Sequence, residues 1–143
     1  MLVRLAFLAV GGALGTLARY ALNGVVSGRQ AASWVRWAAF PAGTMVVNVS
    51  GCFAIGVLAA VAGPESGRAW IPPEWRDFLM VGFCGGYTTF SSYGLQTLNL
   101  ARDGDWSAVA LNIVGSNLLG LGAVWLGWVA GAWVQSRVYG GVA

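Results

Sequence analysis

From Phe78 to Ala101 the chain runs without one charged residue, yet the middle of that run reads Gly82-Phe83-Cys84-Gly85-Gly86-Tyr87-Thr88-Thr89-Phe90-Ser91-Ser92-Tyr93. A stretch this long and apolar reads as a membrane span, because about 20 helical residues cross the hydrocarbon. Paired glycines and clustered hydroxyls, however, loosen a helix and expose its carbonyls. In lipid, such backbone persists only against protein or along a water-filled path. The segment therefore points to a polar pathway through a membrane.

Three further windows are almost as free of charge: Leu5 to Gly28, interrupted only by Arg19, Trp37 to Pro64, and Trp106 to Ser136. Charged residues make up 9% of the chain, against about 25% in soluble domains, which argues against a soluble fold. The pattern predicts an all-α membrane protein of four transmembrane helices, with spans near 3–25, 38–62, 77–100 and 107–134. Residues 1–143 form one domain. The first window is too long for a signal peptide, and three similar spans follow it.

Composition narrows the function classes. Cys52 and Cys84 each fall inside a span, where a free thiol behaves as a small hydrophobe. There is no histidine and no Cys/His/carboxylate cluster suited to zinc or a redox metal. No nucleophile–base pair is visible, so no enzyme is expected. The net charge of +3 comes from scattered arginines, with no basic block to suggest nucleic acid.

The arginines give weak instruction on orientation. With four spans, Arg4, Arg68, Arg76 and Arg137 fall on one side, and Arg29, Arg36 and Arg102 on the other. Orientation follows Lys/Arg excess in short flanking loops. A four-to-three split is compatible with one prevailing orientation or with dual topology, in which copies inserted both ways pair as antiparallel dimers.

Local signals place the elements. Gly11-Gly12-Ala13-Leu14-Gly15 is a small-xxx-small pattern that lets helices approach closely. Asn23 to Arg36 reads as a polar connection, and Pro41 as the first turn of the second span. Gly63-Pro64-Glu65-Ser66-Gly67 reads as a turn. Pro72-Pro73-Glu74 opens the third span, with Glu74 and Asp77 suited to a helix N-terminus. Gly104 closes the next turn, and the fourth span ends near Gln135, with Trp125, Trp128 and Trp133 as interface or packing residues.

Several polar groups sit within the spans. Thr44 and Asn48 share a helix face; Asn48 carries two N–H donors, enough to coordinate a small anion, and equally serves as helix–helix glue. Asn112, Ser116 and Gly120 form a neutral stripe on the fourth span, with close packing the better reading for Gly120. Thr88, Thr89, Ser91 and Ser92 surround Phe90, with Tyr93 close by. An aromatic edge is positive, so Phe90 and Tyr93 presented edge-on assist an anion; the flanking glycines and hydroxyls favour that over simple packing. Arg19, late in the first span, either draws anions to a pore mouth or snorkels to the interface.

The run Gly82 to Tyr93 closely resembles the signature of the Fluc (CrcB-like) family of fluoride channels. The segment Gly43-Thr44-x-x-x-Asn48-x-x-Gly51 is similar to that family's second-helix motif, and Gly12 to Arg19 to its first. The resemblance covers nearly the whole chain. It implies an antiparallel, dual-topology homodimer in the cell membrane, whose third helices break at the centre and whose two pores carry fluoride. It also implies a structural Na+ at the dimer interface, held by backbone carbonyls of Gly85 and Thr88 from both subunits. Asn48 and Phe90 would line the fluoride pore with Tyr93, Thr44, Ser91, Ser92, Asn112 and Ser116, and Arg19 its vestibule. The chain departs from the common pattern at Tyr93 (usually phenylalanine), Asn112 (often tyrosine), Gly120 (often serine) and Gln96 (often an acid).

The expected function is passive fluoride export from the cytoplasm, relieving fluoride toxicity. The alternative, a small dual-topology proton-coupled exporter of organic cations, needs an intramembrane carboxylate, and none of the charge-free windows contains one. A purely structural subunit would leave the grouping of Asn48, the hydroxyls and Phe90 unexplained.

Overall fold

A computed structural model describes residues 1–32, 39–62 and 71–139. Arg36, Arg68 and the Gly63–Gly67 turn expected from sequence lie outside the described residues. Among those described, all regular structure is helical: α1 (Leu2–Ala32), α2 (Ala42–Ala62), a composite α3, α4 (Phe90–Arg102) and α5 (Trp106–Tyr139). The composite α3 joins Pro73–Arg76, a π-helical stretch Asp77–Cys84 and Gly85–Tyr87.

Among the described residues, three helical stretches are long and apolar enough to cross a membrane: Leu2–Gln30, Ala42–Ala62 and Trp106–Val138. The segment expected as a broken third span consists of two helical halves, α3 and α4, separated at Thr88–Thr89. An interruption in this run was expected, but the paired glycines do not make it. Gly85 and Gly86 are both helical, and the extended residues are Thr88 (φ −81°, ψ 159°) and Thr89 (φ −151°, ψ 113°).

Two other expectations need correction. Asn23 to Ala32 is not a connection but the last turns of α1. That stretch contains no proline to break a helix, and Gln30 Nε2 donates to Phe40 O at 2.8 Å, tying the helix end to the approach to α2. At 31 residues, α1 is about 46 Å long, more than the hydrocarbon thickness, so its end projects beyond it. Likewise α5 continues past Gln135 to Tyr139, and Arg137 lies 5.3 Å over the Trp133 ring. The other punctuation falls as expected. Pro73 occupies the first turn of α3, Met45 N–H donates to Pro41 O at 3.1 Å at the start of α2, and Gly104 adopts φ +77° in the α4–α5 turn.

Helix pairing follows the small residues. α1 packs on α3 and α2 on α5. On α1, Gly11 and Gly15 lie against the backbone of α3; a Cβ on Gly15 would meet Phe83 O and Tyr87 N. Gly82 and Gly86 answer them from α3, where a Cβ would strike the backbone around Gly11 and Gly12. The reciprocal spacing of four residues brings two backbones together with no side chain between them, as the small-xxx-small pattern requires. At the outer end, Phe7, Trp75 and Phe78 meet edge to face, with centroids 5.3 to 6.0 Å apart, and Arg4 Nε lies 3.6 Å from Asp77 Oδ2.

The interior is thin. Val47 and Asn112 are the largest fully buried side chains, while Leu17, Leu118, Leu121, Trp125 and Phe90 are exposed. An apolar exterior of this extent suits lipid or a partner surface rather than water.

Candidate functional site: a broken helix between two cavities

The break arises from local chemistry. Threonine is β-branched and favours extended backbone, and its hydroxyl competes for backbone partners. Thr88 directs both its N–H (3.0 Å) and its Oγ1 (2.9 Å) to Cys84 O, closing the first half-helix. Thr89 then caps the second half, its Oγ1 accepting from Ser92 N–H at 3.3 Å. An N-terminal hydroxyl cap of this kind satisfies one of the helix's orphan donors.

The backbone groups of Thr89 itself are satisfied from another helix. Its N–H donates to Asn48 Oδ1 at 2.8 Å, and its carbonyl accepts from Asn48 Nδ2 at 3.1 Å. In a continuous helix that N–H would have gone to Gly85 O. The Gly85 carbonyl therefore lacks its helical donor, and Gly85 is exposed with no atom within 4 Å of where a Cβ would sit.

Two cavities flank the break, and Thr89 lines both. The first, about 360 Å³, brings together Asn48, Gly85, Thr88, Phe90, Tyr93 and Ser116. Here Phe90 and Tyr93 have ring centroids 5.5 Å apart and planes tilted by 39°. The Phe90 ring projects outward, 84% exposed. The free thiols of Cys52 and Cys84 belong to this cavity as well.

The second cavity, about 210 Å³, gathers Arg19, Thr44 and Ser92 with Thr16, Asn23 and Gln96. Among the described residues, the buried side-chain nitrogens and oxygens without a hydrogen-bond partner are Arg19 Nε and Gln96 Oε1, and both belong to residues of this cavity. Neither cavity has a carboxylate among its lining residues, and among the described residues none forms an ion pair with Arg19. An uncompensated cation in a low-dielectric wall makes the cavity attractive to anions.

Two expected site residues line neither cavity. Asn112 is buried between α4 and α5, donating to Thr97 Oγ1 at 2.8 Å and accepting from Ser116 Oγ at 3.3 Å. With its amide so engaged, Asn112 joins two helices and holds Ser116. Ser91 is exposed, 3.4 Å from Thr89 Oγ1. Thr44 and Asn48 share a helix but serve different cavities. Gly120 packs toward Cys52 Sγ, which a Cβ there would approach to 3.5 Å.

Sequence reasoning missed the Thr89 backbone, the Thr97 bridge and Asn117, whose Nδ2 lies 3.4 Å from Tyr93 Oη. The only signal for Asn117 was a second asparagine beside Ser116 in an otherwise apolar helix.

Comparison with known proteins places the chain in a family. Residues 6–128 match the family described as CrcB-like protein, Camphor Resistance (CrcB). The chain is 51% identical over 125 residues to the fluoride-specific ion channel FluC of Paramagnetospirillum magneticum, covering 87% of this chain and 92% of that one. It is 48% identical to the protein of the same name from Rhodospirillum rubrum, covering 92% and 97%, and 48% identical to that from Opitutus terrae, covering 91% and 93%. The match spans both helical halves, the break between them and every residue of the two cavities, and the chain belongs to the CrcB-like family.

Proposed function

We propose that this protein is a fluoride-selective ion channel of the cell membrane, a multi-pass protein that lets fluoride leave the cytoplasm down its gradient. Its relatives carry that name. The observation that carries the reading is the break at Thr88–Thr89, pinned by Asn48 and opening onto a first cavity lined by no charged side chain. Fluoride sheds its water only where donors replace it. Asn48 keeps one N–H beyond the bond to Thr89, and the edges of Phe90 and Tyr93 share its cavity. None of these groups is a fixed cation, so the anion is bound weakly enough to leave. Arg19 in the second cavity concentrates anions at the entrance without standing in the first.

Acid outside the cell converts fluoride to HF, which crosses lipid uncharged and dissociates in the cytoplasm; a passive channel then suffices for export. The cation-exporter alternative needs a carboxylate to exchange protons for cargo, and neither cavity presents one.

The assembly belongs to the same proposal. The α3–break–α4 segment forms the fourth crossing, and two copies pair in antiparallel fashion after inserting in opposite orientations. The near-even arginine split supports dual insertion, and the outward Phe90 ring beside an open Gly85 supports a partner on that face. The residues there also fit a Na+ ion. The Gly85 carbonyl has lost its helical donor, Thr88 is extended, and an all-oxygen carbonyl set suits a hard cation. Gly85 and Thr88 of each copy would hold it, and the ion would supply positive charge to carbonyls left exposed by the break.

Purified protein in liposomes loaded with fluoride tests the whole reading. Rapid fluoride release, with chloride retained, is the expected result. Liposomes that hold both ions equally would end it.

A further inference from the structure

The Tyr93 phenol and the Asn117 amide form a pair outside the expected polar path. Asn117 Nδ2 lies 2.7 Å from Ile113 O, one turn back on α5, and 3.4 Å from Tyr93 Oη. A carbonyl oxygen only accepts, so the Ile113 contact settles which end of the amide is the NH₂ group. Its two N–H bonds are then both spent, one on Ile113 O and one on Tyr93 Oη. An amide NH₂ does not accept hydrogen bonds, so the Tyr93 O–H does not point toward Asn117. Both residues line the first cavity with Asn48, Thr88, Phe90 and Ser116.

We propose that Asn117 is a positioning residue for anion passage: it holds the Tyr93 hydroxyl by its oxygen, so that the O–H is presented to the cavity as a donor to fluoride. This rests on the fluoride-channel reading of the same site. The arrangement is directional. A hydroxyl that accepts one hydrogen bond becomes a better donor of its own. The Phe90 ring, 5.5 Å from that of Tyr93, flanks the same point. Tyrosine here thus adds a donor to the path instead of plugging it, and Asn117 makes the difference.

The test uses the full-length protein in liposomes and compares fluoride efflux from wild type, Tyr93→Phe, Asn117→Leu, Asn117→Ser and the double variant Tyr93→Phe/Asn117→Leu. Asn117 is exposed on an apolar helix face, so leucine suits its surroundings, and serine offers a second, small replacement. Tyr93→Phe and each Asn117 variant should slow efflux by about fivefold, the effect of one neutral hydrogen bond. The double variant should be no slower than Tyr93→Phe alone, because Asn117 acts only through the hydroxyl; independent effects would multiply. Wild-type efflux in Tyr93→Phe or in the Asn117 variants overturns the proposal, as do multiplying losses in the double variant or failure of both Asn117 variants to assemble. Wild-type protein without fluoride efflux instead removes the channel reading itself, and this inference with it.

Discussion

Asn48 and Thr89, 41 residues apart, exchange two hydrogen bonds in the manner of paired peptide groups: Thr89 N–H to Asn48 Oδ1 at 2.8 Å and Asn48 Nδ2 to Thr89 O at 3.1 Å. A side chain on one helix thereby completes the backbone of a segment that has left its own. Unsatisfied backbone groups at membrane depth cost several kcal/mol each, so the break and the asparagine stand together. The same amide keeps one N–H for the cavity, which couples the shape of the path to the chemistry within it.

Asn48→Asp separates these two roles. The carboxylate still accepts from Thr89 N–H but offers nothing to Thr89 O, and it adds negative charge to an anion path. Fluoride efflux should fall by at least about a hundredfold, and thermal unfolding should show a loss of several kcal/mol, the cost of an orphaned backbone carbonyl at membrane depth. Unchanged efflux in folded protein would place the path elsewhere.

Phe90→Ile removes an aromatic edge while keeping apolar bulk. Because the ring is 84% exposed within the subunit, the change should shift subunit stability by no more than about 0.5 kcal/mol. Efflux should drop at least about tenfold if the positive ring edge contacts the ion. A melting curve and an efflux trace on the same preparation separate packing from conduction.

Gly85 and Gly86 should behave oppositely although they are adjacent. A Cβ on Gly86 meets the backbone of Gly12, with its Cα at 3.0 Å, whereas a Cβ on Gly85 meets nothing within 4 Å. Gly86→Ala should therefore push α1 from α3 and sharply reduce the yield of folded protein. Gly85→Ala should leave the subunit folded, and any loss of pairing in that variant, read by size-exclusion chromatography, would report a partner on that face.

Replacing sodium with a large inert cation such as N-methylglucamine should slow efflux or loosen the dimer, because the Gly85 and Thr88 carbonyls would lose their charge partner. Equal efflux and equal dimer stability in the two salts would show that no such ion is required.

Reporters fused to the C-terminus, one active on each side of the membrane, should both give signal if insertion is dual. Adding two or three arginines near one end should bias insertion and lower the yield of active channels. Signal from one side alone would rule out antiparallel pairing.

Hydropathy and residue chemistry along the chain were enough to determine the membrane environment, the apolar windows, the close-packing glycine stripe of α1, and the neighbourhood of the break. Those features depend on the composition of a local segment, and lipid tolerates few alternatives to a closed helix. The tertiary structure decided the rest. Of the two glycines beside the break Gly86 proved to be a contact surface and Gly85 to be open, and the two extended residues are Thr88 and Thr89, because Asn48 on α2 reaches the backbone of the second. Thr44 and Asn48 share a helix face yet border different cavities, since Thr89 passes between those cavities. Asn112 and Asn117 look alike in sequence, but one is buried as a bridge to Thr97 and the other orients Tyr93. A side-chain amide has the same donors and acceptors wherever it stands; only the packing of one helix on another determines which of them are spent on the fold and which remain for an ion.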